Sequence, residues 1–318
     1  MPNSFPRKEI YVYTTEKPLD EKSVFAMNDK DLVIPDYLED YSKKKWESDN
    51  KGWTSSVIPS ALEVELVDNS MTIHCGLTEY KYLLGMVKLA DEKKRSDDNG
   101  VIHGLSIETI PIFSDDTIIL ERRNSSSTQH GVGFYDFPTA SQNAEMYLKK
   151  AETKYPGLVK SMFDMSGFPR FHILKSFEQI KPESLETSIK YIGFSRGFEV
   201  SLDSQFNSYI FLPLESGEVM TDNKAENRLV YRRSRLLDVL DSINRETALR
   251  DINGIRPVPC LQTGGFSIID DCLGNILSFI YHTDNSNYSD AITILKESGY
   301  TINEVKPKGN LVKLDDLV

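Results

Sequence analysis

Apolar and polar residues alternate in "EIYVYT" (9–14) and again in "ALEVELVDNSMTIHC" (61–75). A period of two sends successive side chains to opposite faces, so both segments read as strands. The longer one is a hairpin that turns at Asp68-Asn69-Ser70. Between them "DYLEDYSKKKWES" (36–48) has helical character, and Pro35 just ahead of it suits a first-turn position. In "GLTEYKYLLGMVKLADEKK" (76–94) the period changes again. Tyr80, Leu83, Leu84 and Val87 fall on one face of a helix for which Thr78 is the N-cap.

The middle of the chain reads as a second hairpin, "LSIETIPIF" (105–113), the turn "SDD" and "TIILERR" (117–123). "QNAEMYLKKAETKY" (142–155) is an amphipathic helix. "PRFHILKSFEQI" (169–180) is another, opened by Pro169, striped by Ile173, Leu174, Phe177 and Ile180, and stopped by Pro182. "SIKYIGFSR" and "SYIFLPL" read as consecutive strands, and after "RLVYR" a helix begins near Ser234. Positions 269, 272, 273, 276 and 280 give "FSIIDDCLGNILSFIYH" (266–282) a buried helical face. Hairpins, helix, strands and helix in this order predict an α/β protein with a mixed sheet between helices.

Composition narrows the partners. Thirty-seven basic residues against 48 acidic ones give a net charge of −11, whose field repels nucleic acid and anionic membrane surfaces. A small anion in a local basic pocket is still compatible with that field. Cys75, Cys260 and Cys272 form no CxxC pair and are odd in number, which suits a reduced, cytoplasmic setting. The N-terminus has no apolar core of signal-peptide length, and no window approaches the roughly 18–20 apolar residues of a membrane span. Polar stretches at 91–100, 123–130 and 221–227 are the nearest things to linkers.

The stretch "IILERRNSSSTQHGVGFYDFPTA" (118–140) carries a strand, a paired arginine and a glycine-proline loop, an arrangement suited to an anionic ligand. Together with "GLTEYKYLLG" before it and "IKYIGFSR…SYIFLPLESGEV" after it, it resembles the Nudix fold. The likeness spans roughly 60 to 282 and is closest to eukaryotic-type Nudix proteins that act on nucleotide sugars and carry an N-terminal extension. It implies an α/β/α sandwich with a mixed sheet over 96–318, ending in a C-terminal helix and tail. Residues 1–95 would be an α+β extension packed against it.

The family's signature, G-x5-E-x7-R-E-U-x-E-E-x-G-U, gathers carboxylates on one helical face around Mg²⁺. This chain departs from it. With Thr139 at the first glycine, Glu145 takes the first glutamate position, but the helix positions become Thr153, Lys154, Tyr155, Pro156, Gly157 and Leu158. Aligned on 169–180, the arginine-glutamate pair becomes Ile173-Leu174 and the glutamate pair Phe177-Glu178. The "PGG" turn has become Pro138-Thr139-Ala140, without the freedom of glycine.

The candidate residues follow from this. Arg122 and Arg123 present guanidinium forks suited to phosphate, Asp136 orients the loop, and His130 lies within it. Glu178 is the best remaining catalytic or metal-binding carboxylate, with Glu145 beside it. The leading expectation is a non-hydrolytic Nudix-like protein that needs no cofactor and binds a nucleotide derivative or a protein partner. One alternative is a Mg²⁺-dependent nucleotide-sugar-type diphosphatase with ligands redrawn from Glu145, Glu152, Asp164 and Glu178. The other is an α/β interaction protein unrelated to Nudix. "RLVYRRSR" (228–235) is a basic cluster, and "TGGF" (263–266) leads into a helix that begins with a capping-box pair, Ser267 and Asp270. Tyr80 is expected to pack between extension and domain. Oligomeric state is not set by these patterns.

Overall fold

Asp68 and Asn69 both have positive φ, 43° and 67°, and Val67 pairs directly with Ser70. This is the two-residue hairpin that matches the natural twist of its strands, at a place where Asp and Asn tolerate the left-handed region. The computed structural model describes residues 8–49, 55–91, 102–122, 135–139, 141–197, 204–219, 228–241, 268 and 270–317.

The N-terminal third contains β1 (Glu9–Asp20), β2 (Val24–Asn28), α1 (Asp36–Asp49), β3 (Val57–Val67), β4 (Ser70–Glu79) and α2 (Tyr80–Asp91). The middle contains β5 (Ser106–Ile112), β6 (Thr117–Arg122), β7 (Tyr135–Asp136), β8 (Ser141–Gln142), α3 (Glu145–Lys154) and α4 (Gly167–Ser176). Then come β9 (Lys190–Gly197), β10 (Ser204–Phe211), α5 (Ser216–Val219), β11 (Arg228–Arg232) and α6 (Leu236–Asp241). The chain closes with α7 (Asp270–Thr283), α8 (Tyr288–Glu297), β12 (Thr301–Glu304) and β13 (Leu311–Lys313).

The protein is α/β, and among the described residues its strands form three sheets. The largest has the order β12-β1-β9-β10-β5-β8 and is mixed: β1/β12 and β10/β5 run parallel, the other neighbours antiparallel. A four-stranded sheet has the order β13-β3-β4-β2 and a three-stranded one β11-β6-β7. The β3–β4 hairpin forms as the pattern predicts, but the second predicted hairpin, over 105–123, does not: β5 and β6 belong to different sheets. The chain turns at Asp116 (φ 57°), and β6 leaves β5 to pair with β11 and β7. Ser114 N–H is taken by Leu214 O, and Arg233 N–H by Asp116 O, so the turn is held by other segments.

Two apolar cores lie on opposite faces of the six-stranded sheet. Alternation along β5 divides them: Ile107 joins Phe168, Phe171, Ile173 and Leu174 of α4, whereas Ile110 and Ile112 join Leu273, Ile276 and Leu277 of α7. The first core also takes Val64, Met71 and Ile73 from the four-stranded sheet. A smaller cluster packs Leu38 of α1 against Ile58, Tyr82, Leu83 and Met86.

Three local expectations are corrected here. Thr78 is a buried strand residue rather than an N-cap, because β4 continues to Glu79. Tyr82 is the core tyrosine of α2, and Tyr80 only flanks it. The 169–180 helix starts earlier, at Gly167, and stops at Ser176; Phe177 and Ile180 stay buried in the turns beyond. Its N-terminus is fastened by Asp164, whose Oδ1 accepts the N–H groups of Ser166 (3.1 Å) and Gly167 (2.8 Å).

β1 lies between β12 and β9 in the largest sheet, so hydrogen bonding runs straight across position 95. Removing residues 1–99 would strip β1 from that sheet and expose the apolar faces of β9 and α4. A 100–318 fragment is therefore expected to lose its cooperative thermal transition; a sharp melt with native-like near-UV circular dichroism would contradict this arrangement.

Candidate functional site

α4 occupies the stretch that the Nudix resemblance assigns to the metal-binding helix, and its composition explains what it does instead. Ile173 and Leu174, at the arginine-glutamate positions, are fully buried, as is Phe177. Each such side chain contributes about 1.5–3 kcal/mol of burial, and a carboxylate there would be stranded in hydrocarbon. Glu178 follows the helix in an exposed turn.

The other carboxylates proposed as redrawn ligands are engaged elsewhere. Glu145 opens α3 and pairs with Lys149 at 2.6 Å. Glu152 reaches Gly157 N–H at 3.4 Å, and Asp164 accepts Lys160 N–H at 2.8 Å besides its bonds to α4. Among the described residues these four form no cluster of metal-ligand geometry.

Part of the loop is built as a brace. Arg122 ends β6 opposite Tyr135 and is half-buried; Arg123, His130 and residues 131–134 lie outside the described residues, as do "TGGF" and Ser267. Asp136 is buried, and its Oδ1 accepts Phe137 N–H at 2.8 Å. Thr139 Oγ1 donates to Thr109 O, and Ser176 Oγ donates to Pro138 O, tying the turn to β5 and to the end of α4.

Behind it stands Arg228, whose side chain is inaccessible. Its Nε meets Glu121 Oε2 at 2.9 Å, its Nη2 donates to Ser176 O at 2.7 Å, and its guanidinium lies 5.0 Å from the centre of the Phe177 ring. Three of the four arginines in 228–235 are engaged within the protein: besides Arg228, Arg233 pairs with Asp116 at 2.9 Å and Arg235 with Asp238 at 2.7 Å.

Two arrangements emerge that the chain order did not suggest. Asp136 converges with Glu108 of β5 and Cys272 of α7; their ligand atoms lie within 4.8 Å of one another and all three residues are buried. Glu108 had a signal, as the one charged residue in the strand SIETIPI. Cys272 had none beyond lying on the buried face of its helix.

The second is an open pocket of ≈ 460 Å³ between α3 and α4, lined by Lys149, Lys150, Thr153, Lys154, Phe171 and Lys175. Lys175 Nζ sits 4.4 Å from the centre of the Tyr147 ring and Lys150 Nζ 5.4 Å from it, so aromatic faces hold both ammonium groups in place. His172, next to Phe171, is buried between the rings of Tyr147, Phe168 and Phe171, and its two ring nitrogens have no hydrogen-bond partner among the described residues. Burial, reinforced by Lys175, lowers its pKa to about 3, which keeps it neutral.

No protein-family model matches the chain, and no curated protein matches it. No helix among the described residues is long and apolar enough to cross a membrane.

The neutral His172 has a measurable consequence. The unfolded chain binds its proton near pH 6.5 and the native state only near pH 3, so stability is complete above 6.5 and falls as pH drops between these values. The loss reaches about 1.4 kcal/mol per pH unit for this group. In urea melts from pH 7 to 4, His172→Phe is expected to remove about one proton's worth of that slope. Equal slopes in both proteins would show that His172 titrates normally.

Proposed function

We propose that this chain is a non-hydrolytic, Nudix-like protein that binds a phosphate-bearing nucleotide derivative, with the lysine pocket of α3 and α4 as the phosphate site. The observation that carries this reading is the reversal of charge on α4. A Nudix diphosphatase neutralises phosphate with Mg²⁺ held by helical carboxylates. Here the equivalent positions are buried Ile173 and Leu174, while Lys175 of the same helix joins three lysines of α3 around one opening. Ammonium groups can neutralise a diphosphate directly, without a metal and without activating a water.

Other features agree. Four lysines around one pocket repel each other, and on a protein of net charge −11 they mark a local exception that an anion would stabilise. The volume lies within the range of small-ligand sites, and Phe171 with the lysine stems offers an apolar floor for a sugar or base. Cys75, buried and free, suits a reducing, cytoplasmic setting.

The test is a panel of ADP-ribose, a UDP-sugar and ATP, read by thermal shift and by chromatographic detection of cleavage, with Mg²⁺ and with EDTA. Expected is stabilisation that survives EDTA, without turnover. At a hundredfold excess over Kd the gain is about 2.7 kcal/mol. Lys150→Glu with Lys175→Glu should weaken binding at least tenfold, and Arg122→Ala with Arg123→Ala asks whether the strand end contributes. Mg²⁺-dependent cleavage, or binding indifferent to the lysine changes, would overturn the proposal.

A further inference from the structure

We propose that Glu108, Asp136 and Cys272 are the ligands of a buried divalent metal ion of the Zn²⁺ type, with Asn275 supplying a fourth oxygen. The three residues come from three elements. Glu108 is on β5 of the six-stranded sheet, Asp136 on β7 of the three-stranded sheet, and Cys272 on the first turn of α7. Their ligand atoms all lie within 4.8 Å of one another, at relative exposures of 0%, 3% and 0%. Metal–oxygen and metal–sulfur bonds of about 2.0–2.3 Å require the set to close by roughly 1 Å at most.

Convergent acids alone are no site, but two further buried polar side chains lie beside this one. Asn275 lies one turn along α7 from Cys272 and is fully buried. Its Nδ2 donates to the backbone carbonyl of Glu108 at 3.2 Å, beside the cluster, and its Oδ1 has no hydrogen-bond partner among the described residues. Tyr231 is 1% exposed, and its hydroxyl is likewise unpartnered. Tyr231 lies near enough to Cys272 and Glu108 to feel the charge of both. A carbonyl oxygen without a donor and a hydroxyl beside ligand atoms match a fourth ligand and an outer-shell hydrogen bond respectively.

The donor set selects the metal. A thiolate with carboxylates favours a borderline-soft ion that accepts four ligands. Mg²⁺ demands octahedral oxygen and keeps several waters, which residues this buried leave no room for. A dication also offsets the charge of two carboxylates and a thiolate. With no ligand exposed, the ion would be structural, a clasp joining the two sheets through α7. The site is separate from the lysine pocket, which is built on α3 and α4.

The test uses the full chain, grown with zinc and desalted. About one zinc per chain is expected, lost to a strong chelator with a lower melting temperature. Replacement by Co²⁺ should give the near-ultraviolet thiolate-to-cobalt band. That band should vanish in Cys272→Ser and persist in Cys260→Ser and Cys75→Ser, while Asp136→Asn should lower retention at least tenfold. If Cys272→Ser fails to fold, the wild-type cobalt spectrum still decides. Absence of stoichiometric metal, a cobalt form with no thiolate band, or a band indifferent to Cys272 would each overturn the proposal.

Discussion

The close seating of α7 on the six-stranded sheet is the constraint on which the rest depends. Residues four apart on this helix meet the sheet in succession. A Cβ on Gly197 would fall 2.1 Å from the Asp270 carboxyl carbon, and one on Gly274 would fall 2.3 Å from Ser195 Cβ. Only hydrogen fits at those two points, so helix and strand approach more closely than side chains normally allow. Further along, Ser278 meets Thr14 at 3.2 Å and Asn207 at 3.4 Å, and His282 meets Thr15 at 3.3 Å. This polar seam fixes the position of the helix along the strands, which apolar packing alone leaves loosely specified. With α7 set, its other faces are committed to the three-stranded sheet and to α6 and α8.

Cationic side chains divide by type. Arg196 and Arg228 are buried and bind backbone carbonyls: Arg196 Nη1 donates to Leu314 O at 3.2 Å and Leu317 O at 3.0 Å, fastening the C-terminal segment to β9. A planar guanidinium serves several acceptors from one place, which suits it to cross-linking. The lysines of the α3–α4 pocket lie on the surface: Lys149 pairs with Glu145, while Lys150, Lys154 and Lys175 rest on aromatic rings beside the opening. Arginine-phosphate binding was the first expectation from the sequence. Within the described residues, the buried arginines hold the fold and the basic pocket is made of lysine.

The Nudix resemblance and the architecture meet at α4. An acid pair at those helix positions would be buried, since Phe168, Phe171, Ile173 and Leu174 are all drawn into one core and the outward positions are Arg170 and Lys175. The same packing explains why the helix is shorter than its apolar stripe: Phe177 and Ile180 reach the core from turns, without requiring helical geometry.

By itself the sequence determined the elements whose signals are local. The β3–β4 hairpin was legible because Asp68-Asn69 is the turn and its flanks alternate; α7 was legible because its apolar positions recur at helical spacing. It also showed the absence of the Nudix carboxylates, since that is a matter of residue identity. Tertiary structure decided the pairings between distant segments. β6 follows β5 after four residues and yet joins another sheet, because Leu214, Ser216 and Arg233 hold the turn and β11 pairs with β6 along its length. β1 and β12, almost 300 residues apart, run side by side. Glu108, Asp136 and Cys272 meet only because a helix is pressed between two sheets, and lysines on separate helices share a pocket only once α3 and α4 are packed. Spacing along the chain carries none of this, because a periodic pattern states which face a residue occupies and leaves open what that face will touch.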